Sequence, residues 1–131
     1  ELNLIKLKKK ISAGADFVFT QPVFDLAAFE TWMRAVQALK VEQQVPVLAS
    51  VLPITSAEQA ETVQRHRLYG PLGDEVVSRI SGAADARAEG VALAAETATR
   101  LRTVPGVRGI NVLCGGDAAL AAEVLKAAGS A

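Results

Sequence analysis

Several things are scarce in this sequence, and each scarcity removes a class of protein. A single cysteine, Cys114, excludes an internal disulfide and a cysteine-cluster metal site, and the lone histidine, His66, has no second imidazole at ligand spacing. No metal centre is expected. Fourteen basic residues balance fourteen acidic ones, so the chain offers no overall electrostatic footprint for nucleic acid or anionic lipid, and any basic site has to be local. No apolar run approaches the roughly 20 residues that span a bilayer, and no charged-then-apolar leader opens the chain. Neither nucleic acid nor a membrane is expected as a partner. Aromatic residues make up only 5% of the total. What is present, 131 residues of which 50% are hydrophobic and 21% charged, suits one globular domain over residues 1–131, of soluble, cytoplasmic type. The first residue is Glu1 rather than Met and lies within an amphipathic pattern, which points to a cut end and a fragment of a longer protein.

The pattern of elements alternates. Leu4, Ile5, Leu7 and Ile11 recur at helical spacing with Lys6, Lys8, Lys9 and Lys10 between them, until Gly14 offers a stop. An apolar strand over 16–23 follows, and Asp25 can cap a helix whose stripe runs Leu26, Phe29, Trp32, Met33, Val36 and Leu39. A second strand spans Pro46 to Leu52. Thr55 with Glu58, or Ser56 with Gln59, matches a capping box opening a helix through about Leu68. Asp74 is placed to cap a short helix carrying Val76, Val77 and Ile80. Ala84 to about Val104 reads as an Ala-rich helix with Leu93 and Leu101 inward. After the Pro105-Gly106 turn comes a last strand, Gly109 to Cys114, then Gly115-Gly116 and a closing helix from Asp117 to Ala128.

Continuous apolar strands separated by helices argue for a parallel sheet buried on both faces, with ligands at the carboxyl ends of the strands. Gln21 and the Leu52-Pro53-Ile54-Thr55 turn stand at such ends. The expected fold is α/β with about three parallel strands and covering helices, and three strands are under half of a (β/α)8 barrel. The chain is therefore read as either a small three-stranded protein or the back portion of a barrel whose remainder lies elsewhere.

Three segments together, Leu7-Lys8-Lys9-Lys10-Ile11-Ser12-Ala13-Gly14-Ala15-Asp16, Phe19-Thr20-Gln21-Pro22-Val23-Phe24-Asp25 and Val51-Leu52-Pro53-Ile54-Thr55, resemble the carboxyl-terminal portion of the methylenetetrahydrofolate reductases. The resemblance is closest to the branch with a Thr-Gln-Pro-Val motif, some of whose members are fused to homocysteine methyltransferase domains, and the strand from Val107 to Leu113 fits that branch too. The resemblance implies the carboxyl-terminal part of a (β/α)8 TIM barrel that holds FAD at the carboxyl ends of its strands. It also implies an oxidoreductase of one-carbon metabolism and methionine biosynthesis, passing a hydride from NAD(P)H through FAD to 5,10-methylenetetrahydrofolate.

Matched positions carry implied roles. Lys10, Lys6 and Lys9 occupy places close to the flavin's phosphates and ribityl chain, where an ammonium suits pyrophosphate. Read without the family, four lysines on an amphipathic helix simply solvate its outer face. Gln21 matches a strand-end glutamine that touches the ligand stacked on the flavin, and its amide can donate and accept towards a pterin edge or a nicotinamide carboxamide. Thr20 stands beside it for substrate. Leu52, with Ile54, matches an apolar turn near the stacked ligands, where core packing is the plain alternative. Ala57 stands where many members carry a stacking aromatic, and Leu113-Cys114-Gly115-Gly116-Asp117 replaces a strand end with an aromatic and Asn-Arg. The Gly115-Gly116 pair reads either as an anion-binding backbone loop or as a plain turn.

No catalytic residue is assigned. The family's proton-donating glutamate and its acidic residue near the flavin ring belong to the front half of the barrel and have no counterpart here, so the isolated chain is expected to be inactive. Asp16, Asp25, Asp74 and Asp117 read as strand-start or cap residues, Glu30, Glu58 and Glu61 as exposed helix positions, His66 as solvated and Cys114 as a buried packing residue. Two alternatives stand beside the reductase segment. One is a half barrel completed by self-association or by a complementing amino-terminal half along strands 16–23 and 108–113. The other is a small non-enzymatic α/β module.

Overall fold

The computed structural model describes residues 2–67 and 69–129. Helix α1 (Leu2–Ser12) buries Leu7 and lays Leu4 and Ile11 against the core, while its lysines are exposed. Ile5, which the spacing placed on the apolar stripe, is 52% exposed. Gly14 ends the helix at φ +105°, a conformation that only glycine adopts without strain, and its N–H donates to the Ile11 carbonyl at 3.0 Å.

Strand β1 (Val18–Pro22) begins two residues later than its apolar run suggests, because its neighbour β2 (Val47–Val51) begins only at Val47. The Val18 N–H donates to the Pro46 carbonyl at 2.9 Å, which opens the ladder. Between them, α2 (Leu26–Ala38) is capped by Asp25, whose carboxylate accepts from the Ala28 N–H at 3.0 Å. Its buried face is Phe29, Met33 and Val36, with Trp32 half-buried. Leu39 falls at the C-cap and turns outward, since the chain leaves the helix there into a 3-10 turn (Val41–Gln43) that buries Val41 in its place.

Three helices separate β2 from β3 (Val107–Val112). Of the two candidate caps, Ser56 holds α3 (Ala57–His66): its hydroxyl accepts from the Gln59 N–H at 3.0 Å, and Gln59 Oε1 accepts in turn from the Thr55 N–H at 2.9 Å. Leu68, near which the helix was expected to end, lies outside the described residues. Asp74 is the first residue of α4 (Asp74–Gly82) rather than its cap; Gly73 takes that place with no side chain to offer. Helix α5 (Ala86–Leu101) is shorter than its Ala-rich stretch because Asp85 caps it through the Ala88 N–H, and it buries Leu101 fully and Leu93 partly. Asp117 caps α6 (Ala118–Ala127) through the Leu120 N–H.

The strands lie in sequence order, β1-β2-β3, all parallel, with Val18 opposite Val47, Ala49 opposite Ile110 and Val51 opposite Val112. These residues, alternating along each strand, face the helices and form one core with Met33, Val36, Leu101 and Val124. A second cluster, Ile54, Ala60, Val63, Leu72 and Ile80, joins α3 and α4 to the end of β2. The other face of the sheet is open. Phe19, opposite Leu48, is 55% exposed there, and Phe17 packs beside it with ring centroids 6.1 Å apart. Consecutive parallel strands with helices over one face are the architecture of a section of a (β/α)8 barrel.

Ion pairs tie the helices together. Arg79 of α4 reaches Glu89 and grips Glu96 of α5 with two bonds of 2.9 and 3.0 Å, while Arg87 of α5 bonds Asp117 and Glu123 at 3.2 and 2.9 Å. Among the described residues no helix is long and apolar enough to cross a membrane.

Candidate functional site

The site grows out of an irregularity at the end of β1. Phe19 pairs with Leu48 and Pro22 with Ser50, so Thr20 and Gln21 together oppose the single residue Ala49. That is a β-bulge, a feature that bends a strand and re-aims a side chain beside functional sites. Thr20 staples it. Its hydroxyl accepts from the Ser50 N–H at 3.1 Å and donates to the Gln21 carbonyl at 2.8 Å. Pro22 has no N–H to lose from the disturbed ladder, and Gln21 is left exposed.

Gln21 opens onto a groove of about 580 Å³ bounded by α1, the end of β1, the start of α2 and the Tyr69–Pro71 segment. Lys6 and Lys10, one helical turn apart, line its α1 side; Thr20 and Gln21 line the strand side. Five of the chain's six aromatic residues, Phe19, Phe24, Phe29, Trp32 and Tyr69, also line it. Phe29 and Trp32 are paired, with centroids 5.9 Å apart. Asp25 stands at the groove with its carboxylate committed to the α2 cap. The arrangement can hold a planar, partly apolar ring against aromatic faces, an amide-recognising edge at Gln21, and an anionic group at the two ammoniums.

The groove brings together Lys6, Lys10, Thr20 and Gln21. It does not include Lys9, which is exposed elsewhere on α1, or Leu52. Leu52 lines a much smaller apolar cavity of about 40 Å³ behind the groove, whose walls Val23 and Phe24 belong to both spaces. Ile54 is buried at 2% exposure.

Other expectations resolve individually. The Gly115-Gly116 pair forms a turn closed by the Asp117 N–H donating to the Cys114 carbonyl at 3.0 Å. Cys114 is half-buried rather than buried, because the chain has already left the sheet at Val112. His66 is exposed at the end of α3, and Glu30 is half-buried rather than exposed. Two features escaped the sequence reading. Tyr69 comes from a Gly-Pro turn with no periodicity to mark it; the scarcity of aromatics was the signal that could have drawn attention to it. Asn111 donates from Nδ2 to Ser50 Oγ at 3.0 Å, across strands, and a polar residue within each of two apolar runs is the trace it leaves in sequence.

The electrostatics at the far helices follow from geometry. The Leu120 N–H, and after it the Arg87 guanidinium, hold the Asp117 carboxyl below its ordinary value, and Arg79 does the same for Glu96. Both guanidiniums are correspondingly raised by their carboxylate partners.

Sequential parallel strands, helices over one face and a polar-aromatic groove at a strand's carboxyl end define an α/β protein of the barrel type. The family model for methylenetetrahydrofolate reductase matches residues 1–129, and the chain belongs to that family. It is 39% identical over 56 residues to "Methylenetetrahydrofolate reductase 2" of Saccharomyces cerevisiae. That match covers 43% of this chain and 9% of the yeast protein's length.

Proposed function

We propose that this chain supplies part of the flavin and folate surface of a methylenetetrahydrofolate reductase of the Thr-Gln-Pro-Val branch, acting in the cytoplasm. In this reading the enzyme passes a hydride from NADH or NADPH through FAD to 5,10-methylenetetrahydrofolate, giving 5-methyltetrahydrofolate. One observation carries it: the aromatic residues of a chain poor in aromatics converge with Lys6, Lys10 and Gln21 on one groove at the carboxyl end of β1.

The donor set fits FAD chemically. FAD, when bound, supplies the hydride-transferring ring. Lys10 and Lys6 hold its phosphates as point charges, and Lys9 adds positive potential from the same helix. Gln21 orients the folate or nicotinamide by donating from its Nε2 amide hydrogens and accepting at Oε1, and the aromatic walls exclude water around the ring. Thr20 keeps Gln21 in place, since both of its hydroxyl bonds are spent on the bulge. Leu52 supports the wall from behind. Asp25, the acid that stands at the groove, has its carboxylate committed to the α2 cap, and in this reading the proton donor is supplied from outside residues 1–131.

The exposure of Phe17 and Phe19 and the two sheet edges favour a second element of the same reading. The barrel is completed along β1 and β3, by a complementing amino-terminal half or by self-association. Native mass spectrometry of the protein with and without FAD tests both. One flavin per chain in a completed assembly supports the reading; a monomer that ignores FAD means that the chain is either an incomplete portion of a reductase or a non-enzymatic module.

A further inference from the structure

Gly90 sits in the interior of α5, where glycine costs about 1 kcal/mol of helix stability relative to alanine. The backbone around it explains the exception. A Cβ built on Gly90 would lie 1.9 Å from the Ile54 carbonyl oxygen and 2.7 Å from its carbon. Ordinary contact needs about 3.5 Å, so any side chain here drives the turn after β2 away by about 1.5 Å. Helix α5 and the Leu52–Thr55 turn thus touch backbone to backbone.

That turn is not free to absorb the push. The Thr55 N–H is held by Gln59 Oε1 at 2.9 Å, which binds the turn to the first turn of α3. Ile54 is the buried head of the second apolar cluster, and Phe24 and Tyr69 both pack against that cluster. Phe24 and Tyr69 are also walls of the ligand groove. We propose that Gly90 is a positioning residue for the groove: by admitting the Ile54 carbonyl it sets the depth at which Phe24 and Tyr69 stand, and hence the fit of a planar ring ligand. The ligand half of this inference rests on the flavin reading above; the positional half does not.

The test uses Gly90→Ala in the intact protein, with two readouts. Amide exchange over residues 52–59 is expected to quicken, and the Kd for FAD to rise at least about tenfold, the scale on which displacements near 1 Å act. Gly82→Ala, at the end of α4 with nothing within 4 Å of its Cβ, is the control for helix propensity and should change neither. Leu101→Ala, which lowers stability in the core far from the turn, controls for general weakening and should leave the Kd unchanged. Unaltered exchange over 52–59, or an unaltered Kd in a protein whose exchange has changed, overturns the proposal. A wild-type protein that binds no FAD sinks the flavin reading instead, and the exchange data still decide whether Gly90 fixes the turn. Should Gly90→Ala not fold, Gln59→Leu frees the same turn without a clash and is expected to move both readouts in the same direction; no movement overturns the proposal.

Discussion

On the helix-covered face of the sheet Val47, Ala49, Val36 and Leu101 are wholly removed from solvent, whereas on the opposite face Phe17 and Phe19 stand 53% and 55% exposed. The two faces share the same strands, so the difference is carried by alternate residues. One set, small and β-branched, interlocks with α2 and α5 and supplies the burial that folds the domain. The other set, together with the bulged end of β1, carries aromatic and polar groups that the core does not require. Substitutions on the first should therefore act on folding, and those on the second on binding.

The sharpest contrast is between Leu101→Ala and Phe19→Ala. Loss of Leu101 is expected to cost about 3–4 kcal/mol in urea unfolding, by transfer and cavity terms, while Phe19→Ala in residues 1–131 as an uncompleted monomer should cost under about 1 kcal/mol. Equal costs would mean that the open face is covered in solution. Next in size, Gln21→Ala in the intact parent reductase should slow folate turnover by about tenfold or more with FAD affinity unchanged, read from steady-state kinetics and flavin titration. Effects of the same size on both ligands would place Gln21 at neither in particular. Ser56→Ala should remove about 1 kcal/mol by uncapping α3, and it tests whether the turn after β2 belongs with the stable half of the molecule.

Acid should separate the regions further. The Asp117 and Glu96 carboxyls are lowered in the folded state, so their contribution is present above the unfolded carboxyl range near about pH 4 and is lost as pH falls through the folded values. Hydrogen exchange at low pH is expected to rise first at the α4–α5 and α5–α6 joints, before the strands. The smallest effect is at Lys40, whose φ of 54° strains a side-chain-bearing residue: Lys40→Gly should leave thermal stability equal or slightly raised, by up to about 1 kcal/mol.

The elements were largely legible in the sequence because local chemistry marks them. Asp25, Ser56 and Asp117 each cap the helix their position suggests, and each apolar run became a strand. The misplacements came from partners in space. Asp16 and Phe17 read as strand but precede β1, whose pairing opens at Val18 against Val47, and Leu39 read as core but is displaced by Val41 in a short turn that no periodicity reveals. The same holds at the site. Lys6, Lys10, Thr20 and Gln21 were picked out from motif resemblance and stand together, whereas Leu52 lies behind them and Tyr69 enters from a turn about fifty positions further along the chain from Gln21. The bulge that exposes Gln21 depends on register against β2, which a single strand does not encode.

The most direct test of the central claim, that the groove between α1 and β1 and not the basic surface of α1 in general receives the anionic cofactor, is a flavin titration of the intact protein beside Lys10→Ala and Lys8→Ala. Both variants remove one charge from the same helix, but only Lys10 lines the groove. A Kd for FAD raised about tenfold in Lys10→Ala and unchanged in Lys8→Ala is the predicted result. Equal loss in both, or in neither, contradicts it.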